Sequence, residues 1–382
     1  MKTIMIIGWY GTETIGDRAI LASLFKNLFE LNKNIKLIIG SIYPFHTQLT
    51  LIEDNNFYIE ICNMPKDAII NCEIIDTRNL FELQKGIKKS DIIIIGGGPF
   101  DEMASMYMLQ YAFKYAKKLN KITMIYGCGS NILKSTKIKK AARDIVNYSD
   151  LVFLRDVFSK EILEEIRGIH LEKAHILIDP AVFSVLAYKE KNRNDEKSSY
   201  IAINLRDFPN IYRVEKNNKV NINDKCFNII KKLGIDNEEI KLVPMHYFDI
   251  GGDDRIILEQ LKNHLGKNTL VYNKPLSLEE TLSCFYHANY CIGMRFHSVV
   301  LQTILNGNNY ILNYTAPKKG KIPGFIKQIN GENFYKSRYI NLQDINDDET
   351  LQISNESFKC DEILIKNYEN IYKTKIGEWL NV

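Results

Sequence analysis

The stretch SDIIIIGGG (90–98) decides the architecture. Four consecutive isoleucines leave no polar face, so a strand formed here must be covered on both sides, as a central parallel strand is. The three glycines after it end the strand in a loop where backbone can approach a bound group closely. A structural turn needs one or two glycines; three, followed by Pro99, Asp101 and Glu102, favour a ligand-facing loop.

Outward from this strand the chain alternates short apolar runs with amphipathic segments. KTIMIIG (2–8) and IKLIIG (35–40) read as strands on the N-terminal side, separated by a helix over 17–31. In that helix Ile20, Leu21, Leu24, Phe25, Leu28 and Phe29 recur at helical spacing and mark a buried face. Towards the C-terminus come a helix near 101–119, the strand 122–127, a helix near 136–147, the strand 151–156, a helix near 157–166 and the strand 175–180. Residues 188–198, YKEKNRNDEKS, are polar and lack hydrophobic period, and read as a linker. A second alternation follows, with strands over 200–205, 240–245, 269–272, 289–294 and 309–314 and helices near 222–233, 254–264, 277–286 and 297–306. The pattern predicts an α/β protein of two Rossmann-like domains facing across a cleft, of GT-B type. The expected bounds are 1–187 and 199–345, followed by a helical tail over 346–382 that packs back on the first domain.

The composition agrees with a water-soluble globular chain. At 382 residues the length exceeds one ordinary core, and 45% apolar with 25% charged residues excludes a disordered or fibrous class. A net charge of +4 is small for this length and argues against a nucleic-acid binder. No apolar run approaches a membrane span, and MKTIMIIGWYG reads as a first buried strand rather than a leader. The seven cysteines are scattered with no C-x-x-C pair, which suggests neither disulfides nor zinc and fits a reducing cytoplasm. Lys114, Lys117, Lys118, Lys121, Lys134, Lys137, Lys139, Lys140 and Arg143 form a basic cluster. Such a run is ordinarily a solvated helix face, and its alternative use is peripheral docking on an anionic inner membrane face.

Ligands of open α/β sheets sit at the carboxyl ends of strands, and four such ends are unusual here. GWYGTETIGDRAIL (8–21) turns on Gly8, Gly11 and Gly16 into a helix N-terminus, with Thr14 or Asp17 as cap; its spacing is not that of a dinucleotide loop. The second end is Gly96–Gly98 with Asp101. The third, YGCGSN (126–131), brackets Cys128, which reads as a small buried residue rather than a nucleophile. The fourth, IGMRFHSVVLQTILNGN (292–308), places Arg295, His297 and Ser298 where a strand gives way to a helix. Arg295 and His297 alternate, so in an extended approach they share a side. An Arg fork, an imidazole and a helix N-terminus suit a phosphate or carboxylate and a proton carrier. Arg206, His246 and the Lys318–Lys321 loop add cationic groups at neighbouring strand ends. No D-x-D pair marks a metal, and Asp253–Asp254 and Asp347–Asp348 read as surface acids.

These motifs, in this order over residues 4–325, resemble the polysaccharide pyruvyl transferase family: GWYGTETIGD, IIGGG, RDVFS (155–159), IDP (178–180), GMRFHS (293–298) and NYTAPKKG. Thr14 stands where the family commonly has Asn, and Arg18 where an acid is common, which bears on the acceptor side. The resemblance implies transfer of a pyruvyl group from phosphoenolpyruvate to two hydroxyls of a sugar in a surface glycan or its lipid-linked precursor, as a cyclic ketal. On that footing Arg206, His246, Arg295, His297, Ser298 and Lys318 are the expected donor-binding residues. Gly11, Thr14, Gly97, Gly98 and Asp101 are expected on the acceptor side, and Arg295, His297 and Asp17 in catalysis. No metal or redox cofactor is expected. The competing reading is a GT-B glycosyltransferase using a nucleotide sugar, although no acidic residue for a ribose follows a glycine loop at the usual distance. A binding or assembly protein without activity is disfavoured by the intact Arg295–His297 pair.

Overall fold

The computed structural model describes residues 1–12, 14–194, 196–208, 222–233, 238–249, 251–266, 268–317, 319–345 and 350–380. By internal contacts the chain forms two units, Met1–Ser184 with Glu362–Val382, and Val185–Asp361.

Unit 1 opens with β1 (Lys2–Ile7), α1 (Ile15–Leu31), β2 (Ile35–Ser41), α2 (Pro44–Glu53), α3 (Asn55–Glu60), β3 (Glu73–Asp76), α4 (Leu80–Lys89) and β4 (Ile92–Gly96). It continues through β5 (Pro99–Phe100), α5 (Ser105–Lys118), β6 (Ile122–Ser130), α6 (Thr136–Tyr148), β7 (Leu151–Leu154), α7 (Val157–Glu164), β8 (Ala174–Ile176) and the start of α8 (Ala181–Lys191). The strand order is β3-β2-β1-β4-β6-β7-β8 with every pairing parallel, and the short β5 adds to β6. This is the Rossmann order, in which connections reverse direction between β1 and β4. Ile92–Ile95 are all buried, as their two-sided apolar character requires.

Unit 2 contains β9 (Ile201–Asn204), α9 (Ile222–Lys231), β10 (Ile240–Leu242), α10 (Asp254–Leu265), β11 (Thr269–Val271), α11 (Leu278–His287), β12 (Tyr290–Gly293), α12 (Phe296–Leu305), β13 (Asn309–Asn313), α13 (Lys321–Gln328), α14 (Glu332–Tyr335) and β14 (Tyr339–Asn341). Its order, β11-β10-β9-β12-β13-β14, repeats the same scheme, all parallel, with the reversal between β9 and β12.

Two boundaries differ from the sequence reading. Residues 188–191 are the end of α8 rather than linker, because Tyr188 is buried and the helix keeps its apolar face. The tail divides: Glu362 onward is α15 (Glu362–Leu380), which belongs to unit 1, and the residues before it stay with unit 2. Lys26 of α1 pairs with Glu369 at 2.6 Å, and the Tyr372 ring packs, tilted or edge-on, among Tyr126, Phe153 and Phe183 with centroids 4.9, 4.3 and 5.3 Å away. The Tyr372 hydroxyl donates to the Ile178 carbonyl at 3.1 Å. Tyr372→Phe keeps the ring and orphans that carbonyl, so denaturant titration should show a loss of about 1 kcal/mol.

Among the described residues, no helix is long and apolar enough to cross a membrane.

Candidate functional site

In unit 1 the reversal point carries the loops after β1 and β4. Gly11 has φ +85° and a Cβ there would fall 2.6 Å from the Tyr43 carbonyl, so the loop after β1 requires glycine. The Tyr10 hydroxyl donates to the Gly96 carbonyl at 2.9 Å and ties this loop to the end of β4. Thr14 occupies the N-cap position of α1 without a side-chain capping bond, and its hydroxyl lies 3.2 Å from that of Thr12. Asp17 is in the first turn of α1. With Trp9, Thr14, Arg18, Thr47 and Leu51 it lines a pocket of mixed aromatic, aliphatic, hydroxyl and charged character. Arg18 turns to Asp54 through Nε at 2.7 Å and Nη2 at 2.6 Å, with Glu53 at 3.5 Å. Both members of the main pair are buried, so the departure from the family pattern at position 18 is matched by an acid on the α2–α3 junction.

Gly97 and Gly98 both adopt positive φ, +81° and +80°. A Cβ on Gly97 would meet Ile20 at 2.8 Å, whereas one on Gly98 would meet nothing within 4 Å, so Gly98 faces open space. Asp101 accepts from Asn131 Nδ2 at 2.9 Å, and Glu102 accepts from Ser135 N at 2.8 Å, so both acids brace the loops around them. The Cys128 thiol donates to the Gly97 carbonyl at 3.4 Å, and burial pushes its pKa up to about 12, which keeps it from acting as a thiolate.

The mid-chain motifs are internal braces. Arg155 Nη1 bonds Asp179 at 3.1 Å, both deeply buried, and Asp156 caps α7 through Ser159 N at 2.6 Å. Ser159 Oγ accepts from Ser130 N at 2.8 Å, locking α7 to the end of β6.

In unit 2 the reversal point gathers the ends of β9, β12 and β13. Arg206 follows β9, Arg295 follows β12 and Tyr314 follows β13. Arg295 presents Nε and Nη2 to the Asp254 carboxylate at 2.6–2.8 Å and donates from Nη2 to the Gly252 carbonyl at 2.7 Å. Among the described residues no hydrogen bond falls on its Nη1. Asp254 is 1% exposed and also accepts from Met245 N at 3.0 Å and Asn204 Nδ2 at 3.3 Å. It is the centre of this network, not a surface acid; Asp253, which caps α10, stands between it and the loop. Asp347–Asp348 and Lys318 lie outside the described residues.

Arg206 and Arg295 both donate to the Gly251 carbonyl, at 3.5 and 3.3 Å, which brings the two guanidinium groups to one loop. The Arg206 guanidinium lies 5.0 Å over the Tyr314 ring, and Lys321 Nζ lies 5.5 Å from the same ring and bonds its hydroxyl. Among the described residues neither Arg206 nor Lys321 pairs with a carboxylate. Burial alone would push the Tyr314 pKa up, but Lys321, Arg206 and Arg295 together hold it down at about 7. Sequence reasoning includes Lys321 in the cationic loop and Tyr314 in the motif NYTAPKKG, but gives Tyr314 no role of its own. Its one signal is position, in the loop after β13 beside the lysines.

His297 does not alternate with Arg295 on an extended strand. Arg295 is the N-cap and Phe296 begins α12, so His297 is the second helical residue, half-buried and against Phe296 at 5.0 Å. Ser298 is fully buried and its hydroxyl donates to the Arg295 carbonyl at 2.7 Å, closing the first turn. His246 is buried under Gly251, where a Cβ would lie 3.1 Å from the imidazole Nε2. In the basic region, Lys117 pairs with Asp150 and Arg143 with Asp144, so part of that charge is neutralised locally.

Comparison with known proteins bears on fold and family separately. The UDP-N-acetylglucosamine 2-epimerase of Rickettsia bellii superposes with a TM-score of 0.56 at 12% identity, over 100% of this chain and 96% of that one. The S. aureus MnaA–UDP co-structure gives 0.54 at 15% identity, over 88% and 87%. The UDP-GlcNAc 2-epimerase of Methanocaldococcus jannaschii gives 0.52 at 14% identity, over 86% and 92%. Likeness at this identity shows the fold, two Rossmann-like α/β units. No curated protein sequence matches the chain. The family described as Polysaccharide pyruvyl transferase matches residues 15–315, a span that includes the Gly96–Gly98 loop, both mid-chain braces and Arg206, Arg295 and Tyr314 of the cationic cluster, and the chain belongs to that family.

Proposed function

We propose that the protein transfers the pyruvyl group of phosphoenolpyruvate to two hydroxyls of a sugar in a cell-surface glycan or its lipid-linked precursor, forming a cyclic ketal and releasing phosphate. The observation that carries this reading is the cationic cluster at the β9–β12 reversal point, where Arg206 and Lys321 lack carboxylate partners among the described residues and Arg295 keeps Nη1 unengaged. Phosphoenolpyruvate carries a phosphate and a carboxylate on three carbons, and charge-assisted bonds to two anionic ends of one small molecule need several cations close together. In this reading His297 faces the donor phosphate, and His246 supports the Gly251–Gly252 loop that both arginines grip.

The chemistry is polar and needs no redox step. The enol C3 gains a proton, C2 becomes electrophilic, and the first sugar hydroxyl adds to C2 as it loses its proton. The C2–O bond to phosphate then breaks, the second hydroxyl closes the ring, and its proton leaves with the phosphate. The pocket of unit 1, with Trp9 as a face for a sugar ring and Thr14 and Asp17 as hydrogen-bonding groups, is the proposed acceptor site. Gly11 and the Gly97–Gly98 backbone are its loops, and Asp17 is proposed to hold an acceptor hydroxyl. The reading implies a protein working on the cytoplasmic side, where phosphoenolpyruvate is available.

A thermal-shift comparison of phosphoenolpyruvate with UDP-, GDP- and CMP-sugars tests it. Saturating donor at about 100 times Kd should stabilise the fold by about 2.7 kcal/mol; stabilisation by a nucleotide sugar alone would sink it. Arg206→Ala removes charge-assisted bonds and should raise KM for phosphoenolpyruvate by about tenfold to a hundredfold, corresponding to about 1.5–3 kcal/mol. An unchanged KM would remove Arg206 from the donor site.

A further inference from the structure

The three cations of unit 2 surround a phenol, not an empty space. Tyr314 is 3% exposed, with Arg206 from the end of β9 over its ring and Lys321 from the start of α13 at its hydroxyl. Arg295 from the head of α12 acts on it electrostatically, and among the described residues only Arg295 of the three is offset by an acid, the Asp254 of α10. An acidic proton held in such a field leaves easily, because the positive charge of three side chains favours the phenolate. A bound anion changes that balance. Its charge occupies the same cations, so the phenolate loses its stabilisation and takes up a proton.

We propose that Tyr314 is a catalytic residue of the transfer: anion binding at Arg206, Arg295 and Lys321 converts it from phenolate to phenol, and its hydroxyl then serves as the proton carrier at the enolpyruvyl group. This rests on phosphoenolpyruvate being the donor. The step balances without a further reactant. The phenol gives its proton to C3 as the C2–C3 double bond opens, and the phenolate so formed takes the proton of the first sugar hydroxyl as its oxygen bonds C2. Tyr314 therefore ends the addition as it began it, and the protein needs no exchange with solvent between the two transfers.

The sign of the pH dependence follows. Phosphoenolpyruvate competes with the phenolate form, so its affinity should be highest where Tyr314 is already protonated and should fall about tenfold per pH unit above neutrality. Tyr314→Phe has no such form to displace, and its affinity should stay flat over that range. The experiment follows near-ultraviolet phenolate absorbance of the wild-type protein minus Tyr314→Phe from about pH 6 to about pH 9, well below ordinary tyrosine ionisation near 10. It is read without ligand, with phosphoenolpyruvate and with sulfate, an anion that does not itself titrate there. The expected result is one phenolate appearing near neutrality and bleached by phosphoenolpyruvate, with kcat lost at least a hundredfold in Tyr314→Phe and its KM little changed. Bleaching by sulfate but not by phosphoenolpyruvate would retain the anion-coupled phenol and reject the donor assignment. No phenolate below about pH 9, or one that neither anion bleaches, would overturn the role given to Tyr314. Should Tyr314→Phe fail to fold, Arg206→Gln provides the same readout, since loss of that cation should move the phenolate band to higher pH.

Discussion

Asp254→Ala is expected to be among the most damaging single changes in the chain, lowering the stability of unit 2 by about 3–5 kcal/mol. The reason is the number of groups that depend on one buried carboxylate. Arg295 Nε and Nη2, Met245 N and Asn204 Nδ2 all donate to it and would lose that acceptor together. Removing the acid leaves a guanidinium charge beside a buried void, which is far more costly than the net worth of the pair. Asn204 also accepts from Arg295 N at 3.1 Å and donates to the Val243 carbonyl at 3.0 Å, so the ends of β9, β10 and β12 loosen together. Urea denaturation followed by a probe in unit 2 checks this. A loss below about 1 kcal/mol would mean that the network contributes geometry and not stability. Asp254→Asn, which keeps the shape and one acceptor oxygen, should recover part of the difference.

The second large effect is expected in unit 1. Asp54→Ala takes from the buried Arg18 the carboxylate that it bonds through Nε and Nη2, and should likewise lose about 3–5 kcal/mol. Its control is the double change Arg18→Leu with Asp54→Leu. Replacing both charges with apolar groups of similar size should cost much less than either single loss, because no unpaired charge remains. The measurement is a double-mutant cycle by denaturation. If the double variant is as unstable as Asp54→Ala, the pair is not what fastens α1 to the α2–α3 junction.

Much of the fold is legible because its strands announce themselves. Ile92–Ile95 and the runs around residues 4 and 124 are apolar on both faces, which a single-layer sheet could not tolerate. Less legible are β3 (Glu73–Asp76) and β14 (Tyr339–Asn341), short edge strands with one polar face and no distinguishing period. Helices α2 and α3 escape a sequence reading for a related reason, since α2 leaves Phe45 and Ile52 exposed and so has no simple polar side. In the site, Arg206 and Arg295 are readable as cations at strand ends. Asp254 is not: an Asp-Asp pair in a Gly-rich loop reads as solvated, and only the folded chain turns one of the two inward. Tyr314 is hidden for the opposite reason. A tyrosine at the end of an apolar strand reads as core, and it is core by burial; what makes it unusual is the set of cations that three separate segments bring around it. The strand order lets the sequence place the cations at 206, 295 and 321 at neighbouring strand ends, but spacing alone does not show that a buried phenol sits among them.

The return of α15 to unit 1 has a consequence for how the protein is made. Tyr126, Phe153 and Phe183 are synthesised roughly two hundred residues before Tyr372, the ring that fills the space among them. On the ribosome, the first unit therefore waits with an aromatic socket open while the whole of the second unit is translated. A message cut short anywhere before α15 yields a chain whose socket never closes, and that exposed aromatic surface is what chaperones and proteases bind.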